Sequence, residues 1–305
     1  MNIFYGIDTF KIDVTNICYN KLVKENIMLI PCGDGNRASF FSDPLIGILK
    51  SIFIINDNKI TKYDELTSIC IDLSRNITYT DNVPDHIYKI YPEIKLSNIH
   101  KQLKLDYGSF KDEYPEQMMA VKYLTGDEKV LEIGSNIGRN TVIIAHILNK
   151  MNNNNFVTLE SDENIFKQLL HNKELNNLNF YAENSALSQR KLIQQGWNTM
   201  VSDVLIPGWK NVNTITYNEL ILKYNIVFDT LILDCEGAFY YILMDMPFIL
   251  DNIKLIIMEN DYNNANHKIY IDDILKKNNF YVDYSQSGGW GCCYNNFFEV
   301  WKKSV

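Results

Sequence analysis

A chain of 305 residues is long enough for one large domain and a smaller one, and 46% hydrophobic with 22% charged residues is ordinary for a folded protein. A formal net charge of −8 lacks the basic footprint with which a general nucleic-acid binder displaces counterions, and no apolar run reaches the length of a membrane span. Neither nucleic acid nor membrane is therefore expected as a partner.

The first hundred residues read as β-rich. Asp8–Ile17, Ile27–Pro31 and Ser51–Ile55 have strand composition, and Gly33–Arg37 and Ser42–Gly47 carry turn chemistry. The turn Gly33–Arg37 either presents Asp34, Asn36 and Arg37 to a sugar, with Tyr5 or Phe40 as a stacking surface, or is held by its own side-chain hydrogen bonds. Lys59 to Lys104 is mixed and polar, as a connector is, with Ile69–Leu73 as a further strand. No strand–helix–strand rhythm appears before Tyr114. The chain accordingly divides near residue 105, into a β-rich N-terminal module with its connector (1–105) and a second domain (106–305).

From Val130 onward strands and helices alternate. Val130–Ile133 is an apolar strand running into the turn Gly134–Gly138, and Asn140–Asn149 carries apolar residues at helical spacing. Phe156–Leu159 is a second strand, with a helix from Asp162 to Asn176, and Asn179–Ala182 is a third. Thr230–Leu233 and Leu255–Met258 follow, separated by a helix around Phe239–Met244. Phe280–Tyr284 and Phe297–Trp301 close the chain as an antiparallel pair joined by the Gly-rich loop Ser287–Gly291. This alternation predicts an α/β fold with a Rossmann-like, doubly wound, mostly parallel sheet.

The strongest local signal is Val130-Leu-Glu-Ile-Gly-Ser-Asn-Ile-Gly-Arg-Asn-Thr141, a strand ending in a glycine turn that opens a helix. Glycines at 134 and 138 suit a backbone that passes close to a ligand. Glu132 places a carboxylate at the strand's end, suited to an amino-acid ammonium. Glu160 ends the second strand, where an acid grips ribose hydroxyls in folds of this class. A dinucleotide site needs G-x-G-x-x-G for its pyrophosphate, but Asn136 and Arg139 occupy two of those three positions. S-adenosyl-L-methionine has no phosphate and tolerates that loss. The expected cofactor contacts are Glu132, Gly134, Ser135, Asn136, Gly138, Arg139, Asn140, Glu160 and Ser161, with Asn184, Ser185 and Ala186 reading the adenine edge.

Two further strand ends carry paired acids, Asp234 with Glu236 and Glu259 with Asp261. On parallel neighbours they converge beside the cofactor crevice, where one would serve as general base for an acceptor hydroxyl. A second version sets a divalent ion such as Mg²⁺ among the same acids; the reading without metal is preferred. Tyr107, Asp112-Glu-Tyr-Pro-Glu-Gln117 and Trp290 are candidate lining residues, and His267 is a more distant candidate base.

Residues 110–302 resemble the FkbM family of class I methyltransferases, through Glu132–Thr141, Leu159-Glu-Ser-Asp162, Ser185-Ala-Leu-Ser188, Val212-Asn-Thr-Ile-Thr-Tyr-Asn-Glu-Leu220 and above all Leu233-Asp-Cys-Glu-Gly237. Glu132 stands where Asp is more usual in that family, and Cys235 where Val is common. The resemblance implies S-adenosylmethionine-dependent O-methylation, commonly of a sugar or polyketide-type hydroxyl. The N-terminal segment, with Ile30-Pro-Cys-Gly-Asp-Gly-Asn-Arg-Ala-Ser39, is similar to an extra module ahead of such domains in some viral and bacterial glycan-related proteins. The expected partner is a sugar or glycan acceptor, with a homo-oligomer open. Six cysteines without a CxxC pair, and an N-terminus without a signal-like apolar stretch, suggest a reduced, cytoplasmic protein. The competing function is a binding or scaffolding protein that keeps the fold without turnover.

Overall fold

In the computed structural model, which describes residues 1–57, 59–80 and 83–304, the chain forms two compact units, Met1–Pro92 and a second from Glu93 onward.

The second unit is built on seven strands: β1 (Val130–Ile133), β2 (Phe156–Leu159), β3 (Tyr181–Glu183), β4 (Thr230–Leu233), β5 (Leu255–Glu259), β6 (Phe280–Gln286) and β7 (Phe298–Lys303). Their order is β3-β2-β1-β4-β5-β7-β6, with β7 antiparallel to both neighbours and all other pairs parallel. The sheet is the α/β, mostly parallel, Rossmann-like arrangement that the alternation predicts. β1, β2 and β4 are buried at every residue, which is why they read as unbroken apolar runs rather than alternating ones.

Leu131, Ile133, Leu231, Leu233 and Ile256 face one core, shared with the helices Tyr217–Tyr224, Ala238–Asp245 and Ala265–Lys277. Val130, Ile232, Ile257 and Val300 face the other, shared with Pro92–His100, Tyr114–Tyr123 and Arg139–Lys150. Residues 93–105, read from sequence as connector, thus belong to this second core through Leu96, Ile99 and Leu103. Chain order reverses direction between β1 and β4. The carboxyl ends of those two strands are the switch point where such sheets open a crevice.

The first unit holds two four-stranded antiparallel sheets. Ile27–Ile30, Ser51–Asn56 and Ile69–Asp72 are strands as expected. Asp8–Ile17 is not a single strand: it splits into a strand at Lys11–Asp13 and a helix at Thr15–Lys21. Gly33–Arg37 is not an open turn either, because Asp34–Phe41 is a helix. Arg37 is fully buried, and its guanidinium donates to the carbonyls of Pro31, Asp64 and Thr67 at 2.9, 2.7 and 2.6 Å. Asp34 accepts the Tyr5 hydroxyl at 2.6 Å and pairs with buried Lys50 at 3.0 Å. These side chains, and the buried Tyr5 ring, are committed to the fold and do not form the sugar-binding surface weighed for them. Among the described residues, no helix is long and apolar enough to cross a membrane.

Candidate functional site

β1 ends at Ile133 and turns at Gly134, whose φ is +88°. A Cβ there would lie 1.7 Å from the main-chain oxygen of Asp234. Gly138, at φ +92°, would bring a Cβ to 2.6 Å from the Leu169 side chain. The sequence reading gives both glycines to ligand approach. The space is instead taken by the protein itself, the turn after β4 at Gly134 and the helix Glu163–Leu175 at Gly138. Gly134 still lines a cleft of about 540 Å³ at the carboxyl edge of the sheet, together with Asn136, Glu160, Ser161, Ser185, Ala186, Asp234 and Glu236.

Glu132 sits beside Thr158 on β2 and Ile232 on β4 in the strand register. One carboxylate oxygen accepts the hydroxyls of Thr158 at 2.6 Å and Thr141 at 2.7 Å, so strand and following helix are pinned through this acid. Burial pushes its carboxyl up to about 7, against the two hydroxyls, which lower it. It is therefore turned inward, away from the cleft, and walls a small cavity behind the turn with Gly134, Ser135, Asn140, Ile232 and Asp234.

Glu160 follows β2 and is almost fully buried. Its two oxygens accept the main-chain N–H groups of Asn136 at 2.9 Å and Asp162 at 2.8 Å, which fixes it in the cleft wall. Burial holds its carboxyl above the usual range in spite of those donors. Asn184 does not reach the cleft; it donates to the carbonyls of Glu160 at 2.9 Å and Ser161 at 3.3 Å, and so supports that wall from behind. Arg139 also stands back, pairing with Glu113 at 2.6 Å and Asp112 at 3.6 Å.

The four acids at the ends of β4 and β5 are divided. Asp234 and Glu236 line the cleft, whereas Glu259 and Asp261 do not. Asp261 accepts the Gly237 N–H at 2.8 Å, holding the turn after β4, and burial raises its carboxyl to about 7. Burial, then the shared hydrogen bond with Glu116, pushes Glu259 up to about 12. Asp234 is held well above the ordinary carboxylate range, by burial first and then by the charges of Glu113, Asp261, Glu116 and Glu236. Among the described residues, no group of three or more His, Cys, Asp or Glu is disposed to hold a metal ion.

Of the other candidates, Glu113 and Glu116 wall the small cavity. Tyr107 packs edge-on against His171, and His267 stacks on Tyr240 at 3.8 Å. Trp290 lines neither cavity. One wall escaped the sequence reading: a three-stranded antiparallel sheet of Leu192–Gln195, Asn198–Val201 and Lys210–Val212, which brings Trp197, Thr199 and Met200 to the cleft. Its signal is the two-residue turn Gly196-Trp197 between Gln195 and Asn198, with Gly196 at φ +57°. At its root Arg190 binds Asp245 with two bonds of 2.6 Å and lies over Tyr241.

No protein-family model and no curated protein matches the chain. Solved structures similar to it include the O-methyltransferase from Bacillus cereus in complex with SAH, at 15% identity and TM-score 0.37, covering 70% of this chain and 90% of that one. A methyltransferase from Pyrococcus furiosus aligns at 14% identity and TM-score 0.37, covering 72% and 99%. A ribosomal protein L11 methylase from Lactobacillus delbrueckii subsp. bulgaricus aligns at 11% identity and TM-score 0.39, covering 66% and 82%.

Proposed function

We propose that the chain is an S-adenosylmethionine-dependent methyltransferase that modifies a hydroxyl group, in a sugar or glycan acceptor. The observation that carries this reading is the charge of the cleft. Glu160, Asp234 and Glu236 line it, and the one arginine on its wall, Arg190, is neutralised by Asp245. A dinucleotide would drive its pyrophosphate against three carboxyl groups, and the Asn136 N–H at the turn is already spent on Glu160. A cationic nucleoside meets no such conflict. Glu160 is suited to the ribose hydroxyls, and the small cavity walled by Glu132, Asn140 and Asp234 suits the ammonium of an amino-acid end.

S-adenosylmethionine, when bound, supplies a methyl group on a positively charged sulfur. The chain's own contribution is to hold an acceptor oxygen in line, where positioning can lower a barrier by about 7–11 kcal/mol. Asp234, in the cleft wall and held at a raised pKa by burial and then by its acid neighbours, is a stronger base than an ordinary aspartate and takes the acceptor's proton as the bond forms. Glu236 is the second candidate. Asp261, outside the cleft, acts through Asp234 by helping to keep it basic, and Glu259, also outside, is engaged with Glu116. The apolar hairpin wall of Trp197 and Met200 offers the acceptor a stacking face.

Calorimetry with S-adenosylmethionine, its demethylated product and NAD tests the reading. The first two should bind and NAD should not. Glu160→Ala should weaken the first two about 10- to 100-fold, the worth of charge-assisted hydrogen bonds to ribose. NAD binding with no binding of S-adenosylmethionine would refute it. Labelled methyl transfer to a panel of glycans, read by mass spectrometry, tests the acceptor.

A further inference from the structure

The small cavity behind the glycine turn measures about 10 Å³, room for one water-sized group. Glu113, Glu116, Glu132 and Asp234 supply half of its lining residues, with Gly134, Ser135, Asn140 and the apolar Ile232 completing it. The neighbouring cation, Arg139, is already engaged by Glu113 at 2.6 Å. Glu116 is 8% exposed, and its Oε2 meets no donor; the carboxyl is otherwise engaged with that of Glu259, acid on acid. Asn140 is equally buried, and its Oδ1 also meets no donor. Unmet acceptors in a buried pocket are costly unless a ligand brings the donors. A primary ammonium is water-sized, carries three N–H donors and is positive.

We propose that Glu116 binds the α-ammonium of the cofactor's amino-acid end, with Asn140 and Asp234 as its other acceptors, and that Glu259 gives up its proton as the cation enters. The inference rests on the S-adenosylmethionine reading above. The groups facing Glu116 are Glu113 just before its own helix, Glu132 on β1, Asp234 after β4, Glu259 on β5, and Arg139 through Glu113. Burial first, and neighbouring negative charge after it, raises the carboxyls of Glu113, Glu132, Asp234 and Glu259 and so favours their protonated forms; a bound ammonium opposes that. Ligand binding therefore releases protons and tightens as pH rises.

The test is calorimetry on the full chain at pH 7, in two buffers of different ionisation enthalpy. The probes are S-adenosylhomocysteine, its analogue lacking the α-amino group, and methylthioadenosine, which lacks the amino-acid end altogether. Wild type should bind S-adenosylhomocysteine with proton release and bind the deaminated analogue at least about tenfold more weakly. Glu116→Gln should lose about 10- to 100-fold in S-adenosylhomocysteine affinity and most of the proton release. It should bind methylthioadenosine as wild type does, and melt no lower without ligand. If wild type binds none of the three, the S-adenosylmethionine reading fails. If all three bind but the amino group makes no difference to wild type, this inference alone is overturned, whether or not the variant folds. Unchanged proton release in a folded Glu116→Gln also overturns it.

Discussion

The contact between Gly134 and Asp234 makes the sharpest stability prediction. Gly134→Ala sets a Cβ 1.7 Å from a backbone oxygen, in a residue with φ of +88°. The left-handed conformation costs an L-residue about 1–2 kcal/mol, and overpacking against rigid structure adds about 1–3 kcal/mol. The obstacle is main chain, so no rotamer relieves it, and the expected loss lies in the upper half of that sum, about 4–5 kcal/mol. For a unit of this size that lowers the melting temperature on the order of 10 °C. Gly196→Ala is the control. Its φ is +57°, but no atom lies within 4 Å of the added carbon, so only the conformational cost applies, about 1–2 kcal/mol. Differential scanning calorimetry of both variants decides the matter. Equal melting temperatures would mean that the β1 and β4 turns do not press on each other as described.

Three further outcomes follow from the site. Asp234→Asn should leave S-adenosylhomocysteine binding within about tenfold while lowering methyl transfer about a hundredfold or more, in the labelled-cofactor assay. Glu132 is protonated more readily in the folded chain, its carboxyl at about 7 against an ordinary 4.5, so its contribution to stability is complete below about 4.5 and lost as pH rises through about 7. The change is roughly 3 kcal/mol across that window. Urea unfolding at pH 5 and pH 7 should show Glu132→Gln with a smaller difference than wild type; an equal difference contradicts the assignment. A fragment starting at Glu93 should fold and bind S-adenosylhomocysteine. One starting at Leu105 loses the burial of Leu96, Ile99 and Leu103, worth about 5–9 kcal/mol together, and should be unfolded by circular dichroism.

The central sheet was legible because fully buried parallel strands write themselves as short apolar runs, and β1, β2 and β4 fall where those runs are. Strand ends were legible too, since an acid directly after an apolar run has few other places to be. What each acid does there was not. Glu132 lies within β1, opposite Thr158, and turns inward to two threonine hydroxyls, whereas Glu160 lies just past β2 and is held in the cleft wall by two main-chain donors. That difference depends on Thr158 across the register and on the Asn136 turn, which sequence spacing does not reveal. The N-terminal helix Asp34–Phe41 was obscured by its own composition. Gly33, Asp34, Gly35 and Asn36 are turn residues by local preference, and it is tertiary bonding of Arg37, Asp34 and Lys50 that overrides them.

The hairpin wall of Leu192–Val212 pairs with none of the seven central strands. Its exposed apolar residues, Trp197, Met200 and Val201 among them, can change without disturbing any strand that places an acid at the cleft. Inheritance can thus treat the two halves of the cleft separately: the hairpin is free to drift, while Gly134 at the switch point, locked against the turn after β4, leaves no room for a side chain.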